Sequence, residues 1–286
     1  MAQWDFDGDE LLFLLAAGLV SACGALEFCV TVLRPRSPTA APARGLLLLT
    51  PPLTLVGLYW VLQHWADPKY VVSHPDYVIL FMLGGGAWLT ILRLAINYVG
   101  VSIRDDVIER NNTAATAVTL GAIIGNMAIY TGGNVGAGPT IWTTILPATV
   151  ASLIWLFLWL IIAALSPLPD AVALDRDLAT GIRHGGILIA TSLVLARAIA
   201  GDWTSWTATF SDMIILLWPV LPLTVLAVIL HRALAPSPAR PQLPVLTTGV
   251  IPALFAVLLA LAYLRYLGPA EIGKTVITYE QYMNSK

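Results

Sequence analysis

The chain has 286 residues, 58% of them hydrophobic and 11% charged, with a formal net charge of -2 and a mean hydropathy of +0.79. That composition excludes a water-soluble globule of ordinary make-up, and the near-neutral charge gives nucleic acid nothing to bind. The sequence predicts an all-α integral membrane protein whose first partner is the lipid bilayer.

A helix needs about 20 apolar residues to cross the hydrocarbon core. Eight stretches satisfy this, at about residues 10–33, 45–66, 77–99, 113–131, 141–165, 178–200, 210–231 and 245–267. They are continuous runs, which an unpaired backbone in lipid restricts to helices, and the alternation of a β-barrel is missing. Asp5, Asp7, Asp9 and Glu10 precede the first span with no Lys or Arg. This is unlike the basic start of a cleaved signal peptide, so the span is expected to be retained. Span one contains Glu27, and its Cys23 and Cys29 fall on different helix faces and read as packing residues. Thr50, Pro51 and Pro52 read as the first turns of span two, where proline is tolerated.

Span three contains Gly84, Gly85 and Gly86, followed by Arg93 and Asn97. The glycine triplet is read as a site of close helix packing, with an unwound transporter-like helix as the alternative. The polar connector VSIRDDVIERNN follows, carrying Arg104, Asp105, Asp106, Glu109 and Arg110, and Asn111 or Asn112 is placed to cap span four. Span four has Gly121 and Gly125, and span six has Gly181 and Gly185, both at the spacing of a small-residue helix face. The loop TGGNVGAGPT is turn-like and lacks the Lys-Ser/Thr ending of a phosphate loop. A second polar connector, DAVALDRDL, carries Asp175 and Arg176 between spans five and six. Span seven contains Trp218, Pro219 and Pro222, and residues 268–286 form a polar tail of β-rich composition.

Setting the two connectors side by side pairs Glu109 with Asp175 and Arg110 with Arg176. Asp9, Asp76, Thr143 and Asp212 each precede an odd-numbered span, at steps of about 67, 67 and 69 residues. The chain therefore divides into four parallel two-helix units, 9–66, 76–131, 141–201 and 210–267. Connectors after odd spans hold Arg34, Arg36, Arg44, Arg104, Arg110, Arg176, Arg232 and Arg240, whereas the opposite side holds Lys69, Lys274 and Lys286. Cytoplasmic loops retain basic residues, so these connectors are expected in the cytoplasm and both termini outside. Trp4, Trp65, Trp142, Trp203 and Trp206 fall at the outer interface, where indole rings are stabilised.

The segments DDVIERNNTAATAVTLGAIIG and DRDLATGIRHGGILIA resemble the YjfL-like bacterial inner-membrane family of unknown function. The likeness covers about residues 76–201. It implies a bacterial cytoplasmic-membrane protein in which the unit occurs twice within four helices, and it brings no activity or catalytic residues. The chain departs from the family by a helix pair at each end and by Asp177 where the second connector would carry Asn.

Charges inside spans are costly and mark candidate sites. Glu27 follows Asp9 by 18 residues and Arg93 follows Asp76 by 17, so the two share a depth, and Arg183 lies about five residues into span six from the same side. These three are predicted to form a buried charge cluster. Arg197 and Arg265 lie near the outer interface and are expected to snorkel. His64, His74, His184 and His231 are read as dispersed, with no metal-ligand spacing, and no nucleophile–base set stands out. No cofactor or enzymatic activity is expected. The chain reads as a structural subunit or partner in a larger membrane complex or homo-oligomer. The alternative is a carrier of a small solute or ion, with Gly84–Gly86, Asn126 and the charged level lining its path.

Overall fold

The computed structural model describes residues 6–34, 41–236 and 244–270. Trp4, Arg36, Arg240 and the tail from residue 271 lie outside them. Among the described residues eight stretches are long and apolar enough to cross a membrane. They comprise α1 (Gly8–Leu33), α2 (Ala41–His64), α3 (Pro75–Ile96), α4 (Thr113–Gly133), α5 (Trp142–Leu165), α7 (Leu178–Ala198), the pair α8 (Trp206–Leu216) and α9 (Val220–Ala233), and α10 (Ile251–Leu267). A short helix, α6 (Leu168–Ala173), lies in the second polar connector. The chain is thus a multi-pass membrane protein by architecture.

Local chemistry sets the helix starts. Asp7 accepts from Glu10 N at 2.9 Å and the Glu10 carboxylate accepts from Asp7 N at 3.1 Å, a reciprocal cap that opens α1. Asn112 Oδ1 accepts from Ala114 N and Ala115 N, Asp177 Oδ2 from Thr180 N, and Ser205 Oγ from Ala208 N, opening α4, α7 and α8. One expectation is corrected here. Pro51 and Pro52 lie well inside α2, which begins at Ala41, because the helix extends back into the connector. The seventh span is broken between Leu216 and Val220, where Pro219 ends the hydrogen-bond ladder and restarts it as the cap of α9.

The glycines decide how the helices pack. Windows of α4 and α7 are each 72% buried, against 11% for α1, so these two helices form the centre. A methyl group on Gly121 would lie 2.5 Å from Gly185 Cα, and one on Gly181 would lie 2.5 Å from Ala114 O, so α4 and α7 touch backbone to backbone. The same contact recurs one helix further on. Gly186 faces Ala253 of α10, and Gly249, in the turn that leads into α10, faces Ala179, which presses this last span onto α7 as α7 is pressed onto α4. The triplet in α3 points to three neighbours: Gly84 makes room for the Tyr130 hydroxyl, Gly85 for Leu58 and Met127, and Gly86 for Ser21. Helix α3 runs unbroken through all three, so they are packing positions and not an unwound segment.

The two polar connectors share a backbone path. Arg110 N donates to Asp105 O at 3.0 Å and Asn112 N to Asp106 O at 3.0 Å. In the second connector Asp175 N donates to Asp170 O at 3.0 Å and Asp177 N to Ala171 O at 2.9 Å. Asn111 (φ 49°) and Arg176 (φ 54°) are the non-glycine residues with positive φ among those described. Structure therefore pairs Arg110 with Asp175, Asn111 with Arg176 and Asn112 with Asp177. This corrects the charge-matched alignment of Glu109 with Asp175 by one residue, because backbone turn geometry and not side-chain sign sets the register. At the opposite end Gly136 N donates to Trp65 O at 2.8 Å and Gly201 N to Val135 O at 3.0 Å, so three successive loops are linked in series.

Candidate functional site

Two polar clusters lie at the connector end of the bundle. In the first, Arg93 of α3 forms an ion pair with Glu27 of α1. The Arg93 side chain is 13% exposed and that of Glu27 is 67% exposed. Gly24 of α1 receives Thr90 of α3 and Gly86 receives Ser21, which draws the two helices close enough for the pair. Arg93 also sits between two cavities. One of about 260 Å³ is apolar and lies mainly between α1, α2 and α3, with Phe28, Leu48, Pro51, Pro52 and Leu89 on its walls. The other, of about 540 Å³, is bounded by Glu27, Asn97, Ser102, Arg104 and Asp105. The mid-helix prolines missing from the expected start of α2 therefore acquire a place, as part of the apolar wall.

The second cluster contains Arg183, fully buried on α7. Its Nη2 donates to Thr180 Oγ1 at 2.9 Å, its Nη1 donates to Thr248 O, and its Nε donates to His231 Nδ1 at 3.3 Å. Thr180 Oγ1 in turn donates to Asp177 Oδ2 at 2.5 Å, so the guanidinium reaches its counter-charge through one hydroxyl. This arrangement offsets the high cost of a buried cation. His231 Nε2 lies 3.3 Å from His184 Nδ1. Because His231 Nδ1 accepts from Arg183, its proton is on Nε2 and is given to His184, which leaves the His184 proton on its Nε2. That atom is buried without a hydrogen-bond partner, with the Trp159 ring centroid 5.5 Å from that of His184.

The predicted buried three-residue cluster is therefore divided, and its Glu27 member is not buried by the chain. Glu27 and Arg93 meet, but Arg183 belongs to the second cluster, across α4 and toward α9 and α10. Equal offsets from the span starts fix position along the helix axis and say nothing about lateral position. The reading of His184 and His231 as dispersed is likewise corrected: 47 residues apart in sequence, they are hydrogen-bonded. The available signal was that Arg183 and His231 both lie near the connector ends of consecutive spans.

The remaining named residues act locally. Ser102 N donates to Asp106 Oδ2 at 2.8 Å, and the Asp106 Oδ1 receives Arg110 Nη1 at 2.9 Å, so Asp106 fastens the first connector to itself. Arg104, Asp105, Asp175 and Arg176 are exposed and Glu109 is half-buried. Asn112 Nδ2 donates to Val172 O at 2.7 Å, which ties the first connector to the second. Aspartate at 177 caps α7 but has no N–H to make the corresponding bond. At the other end Trp142 Nε1 donates to Asp9 Oδ2 at 2.9 Å and Tyr77 Oη to Glu10 Oε2 at 2.8 Å, gathering the starts of α1, α3 and α5. Arg197 donates to Gly268 O at 3.3 Å and Pro269 O at 3.0 Å. Cys23 and Cys29 are free and exposed on α1. Among the described residues no group of three or more His, Cys, Asp or Glu is placed to hold a metal ion.

No protein-family model, curated protein or solved structure matches the chain.

Proposed function

We propose that the protein is a structural subunit or partner within a larger assembly of the bacterial cytoplasmic membrane, built from parallel two-helix units with both termini outside. The observation that carries this reading is the backbone contact of α4 with α7 at Gly121, Gly181 and Gly185. It fills the middle of the bundle with main chain where a conduit would need space. The chain then acts through its periphery, and α1, which buries little more than Ala17, Gly24 and Val32 against its own chain, offers the largest uncommitted face. Support for the repeat comes from the shared connector turns and from the recurrence of the α4–α7 contact between α7 and α10. Orientation rests on the arginine-rich connectors, and kinship of residues 76–201 with the YjfL-like family rests on the connector-and-small-helix motif alone.

The test is gentle solubilisation of the native membrane, followed by mass determination of the intact particle and identification of its components. A companion at fixed stoichiometry supports the subunit reading. A lone chain that moves a solute in vesicles overturns it. A transport role is the second reading, favoured by the hydrogen-bonded series Asp177–Thr180–Arg183–His231–His184, and it requires flux that falls when His231 is replaced by Ala.

A further inference from the structure

The Glu27–Arg93 pair lies where an apolar cavity meets a polar one, and that junction has the form of an amphiphile site. The apolar cavity is walled by Phe28, Leu48, Pro52 and Leu89 and is open at its side. The polar cavity beside it shares Arg93 and Ile103 and extends to the connector. Its walls carry both signs of charge, Arg93 and Arg104 against Glu27 and Asp105. Asp106 also borders it, but that carboxylate is already engaged by Ser102 and Arg110.

Two groups at the junction have unused bonding capacity. Arg93 Nε is buried with no hydrogen-bond partner. Glu27 is mostly uncovered by the chain, although six residues of α1 separate it from Leu33, about 9 Å at 1.5 Å per residue. A carboxylate facing outward at that depth meets the lipid headgroup boundary, where it is stabilised by a cation that lipid itself supplies.

We propose that the junction binds a phospholipid whose headgroup carries a phosphate and a primary ammonium, a phosphatidylethanolamine, with an acyl chain in the apolar cavity. Phosphate accepts from the Arg93 guanidinium, which borders both cavities, and from Arg104 on the wall of the polar one. Ammonium donates to Glu27 and Asp105. A purely anionic headgroup would set its charge beside both carboxylates with no cation of its own to offer them, and a quaternary ammonium has no N–H to give them. The proposal is independent of the subunit reading, since a bound lipid is compatible with either a solitary or an assembled chain.

The experiment is lipid retention by the full chain. The protein is reconstituted in equimolar phosphatidylethanolamine, phosphatidylcholine and phosphatidylglycerol of matched acyl chains, then re-extracted in mild detergent, and the lipid retained per protein is counted by native mass spectrometry. Wild type is expected to retain one phosphatidylethanolamine at least fivefold in excess of either competitor. Arg93→Ala and Glu27→Gln should abolish that preference, and Asp212→Asn, on the opposite end of the bundle, should leave it intact. Ala25→Phe keeps both charged residues and blocks the apolar cavity from its exposed edge, so it should also lose the bound lipid, and it covers the case in which Arg93→Ala fails to fold. Equal retention of the three lipids by wild type, or full preference in Ala25→Phe, would overturn the proposal.

Discussion

Replacing Gly121 by Ala tests whether α4 and α7 are held by backbone contact. The added methyl would lie 2.5 Å from Gly185 Cα, 2.6 Å from its carbonyl oxygen and 2.8 Å from its carbonyl carbon. All three are main-chain atoms, so no rotamer change relieves the clash. Restoring an ordinary carbon contact of about 3.5 Å requires the helices to part by about 1 Å. Helix separation would loosen the neighbouring contacts at Gly125, Gly132 and Gly181 as well, since each has α4–α7 backbone within reach. Overpacking a well-filled core costs about 1–3 kcal/mol, and a rigid clash belongs at the upper end, so we expect about 3 kcal/mol, roughly a hundredfold in the folding equilibrium. Gly45→Ala is the control: nothing lies within 4 Å of its added methyl, and helix propensity alone predicts a gain of up to about 1 kcal/mol. The assay is reversible unfolding in bicelles, measured for both variants beside wild type. Unchanged stability of Gly121→Ala would refute the backbone-contact account of the core.

Further outcomes follow from single bonds. Asn112→Ala removes two cap bonds and the bond to Val172 O and should destabilise by about 1–2 kcal/mol, whereas Asn112→Asp should keep the cap but set a buried carboxylate oxygen against Val172 O and so lose at least as much; hydrogen exchange at Ala114 and Ala115 would separate loss of the cap from loss of the cross-link. Arg183→Leu and His231→Leu should be strongly non-additive in a double-mutant unfolding cycle, because the first removes the donor that His231 Nδ1 accepts from; strict additivity would mean the two side chains are not coupled. Arg176→Asn should stabilise by about 0.5–1 kcal/mol, since the left-handed conformation at φ 54° costs an ordinary side chain about 1–2 kcal/mol and asparagine less; a loss of stability would mean that Arg176 has a role beyond the turn. With Cys23 and Cys29 changed to Ser, a Cys introduced at Asp175 should react only from the cytoplasmic side and one at Thr204 only from outside, and reversed labelling would overturn the orientation.

How much of this was legible depended on whether a property is set along the helix axis or around it. Depth is axial. Apolar run length located eight spans, and the matched offsets Asp9–Glu27 and Asp76–Arg93 placed two charges at one height, where α1 and α3 bring them together. Glycine spacing of four residues also survives projection, which is why Gly121, Gly125, Gly181 and Gly185 could be assigned to close packing before their partners were known. Lateral neighbours are not encoded by hydropathy. Arg183 was expected at the height of Arg93 but faces His231 and Thr248, and the adjacency of His184 to His231 exists only once α7 and α9 are set side by side.

The register of the connectors shows a different gap, because their chemistry and their geometry point to different alignments. Matching charge for charge puts Arg110 opposite Arg176, yet the turn demands that residues with positive φ correspond, and these are Asn111 and Arg176. Asparagine tolerates that conformation and signals it, whereas arginine does not, so the second turn gave no compositional sign of itself. Hydrogen bonds from Asn112 and Asp177 back to Asp106 O and Ala171 O close the same turn in both connectors. The side chains above them differ, one cap donating across to Val172 O and the other accepting from the threonine that supports Arg183. A single backbone device thus serves two ends: at 112 it joins neighbouring connectors, and at 177 it supplies the counter-charge for a buried cation.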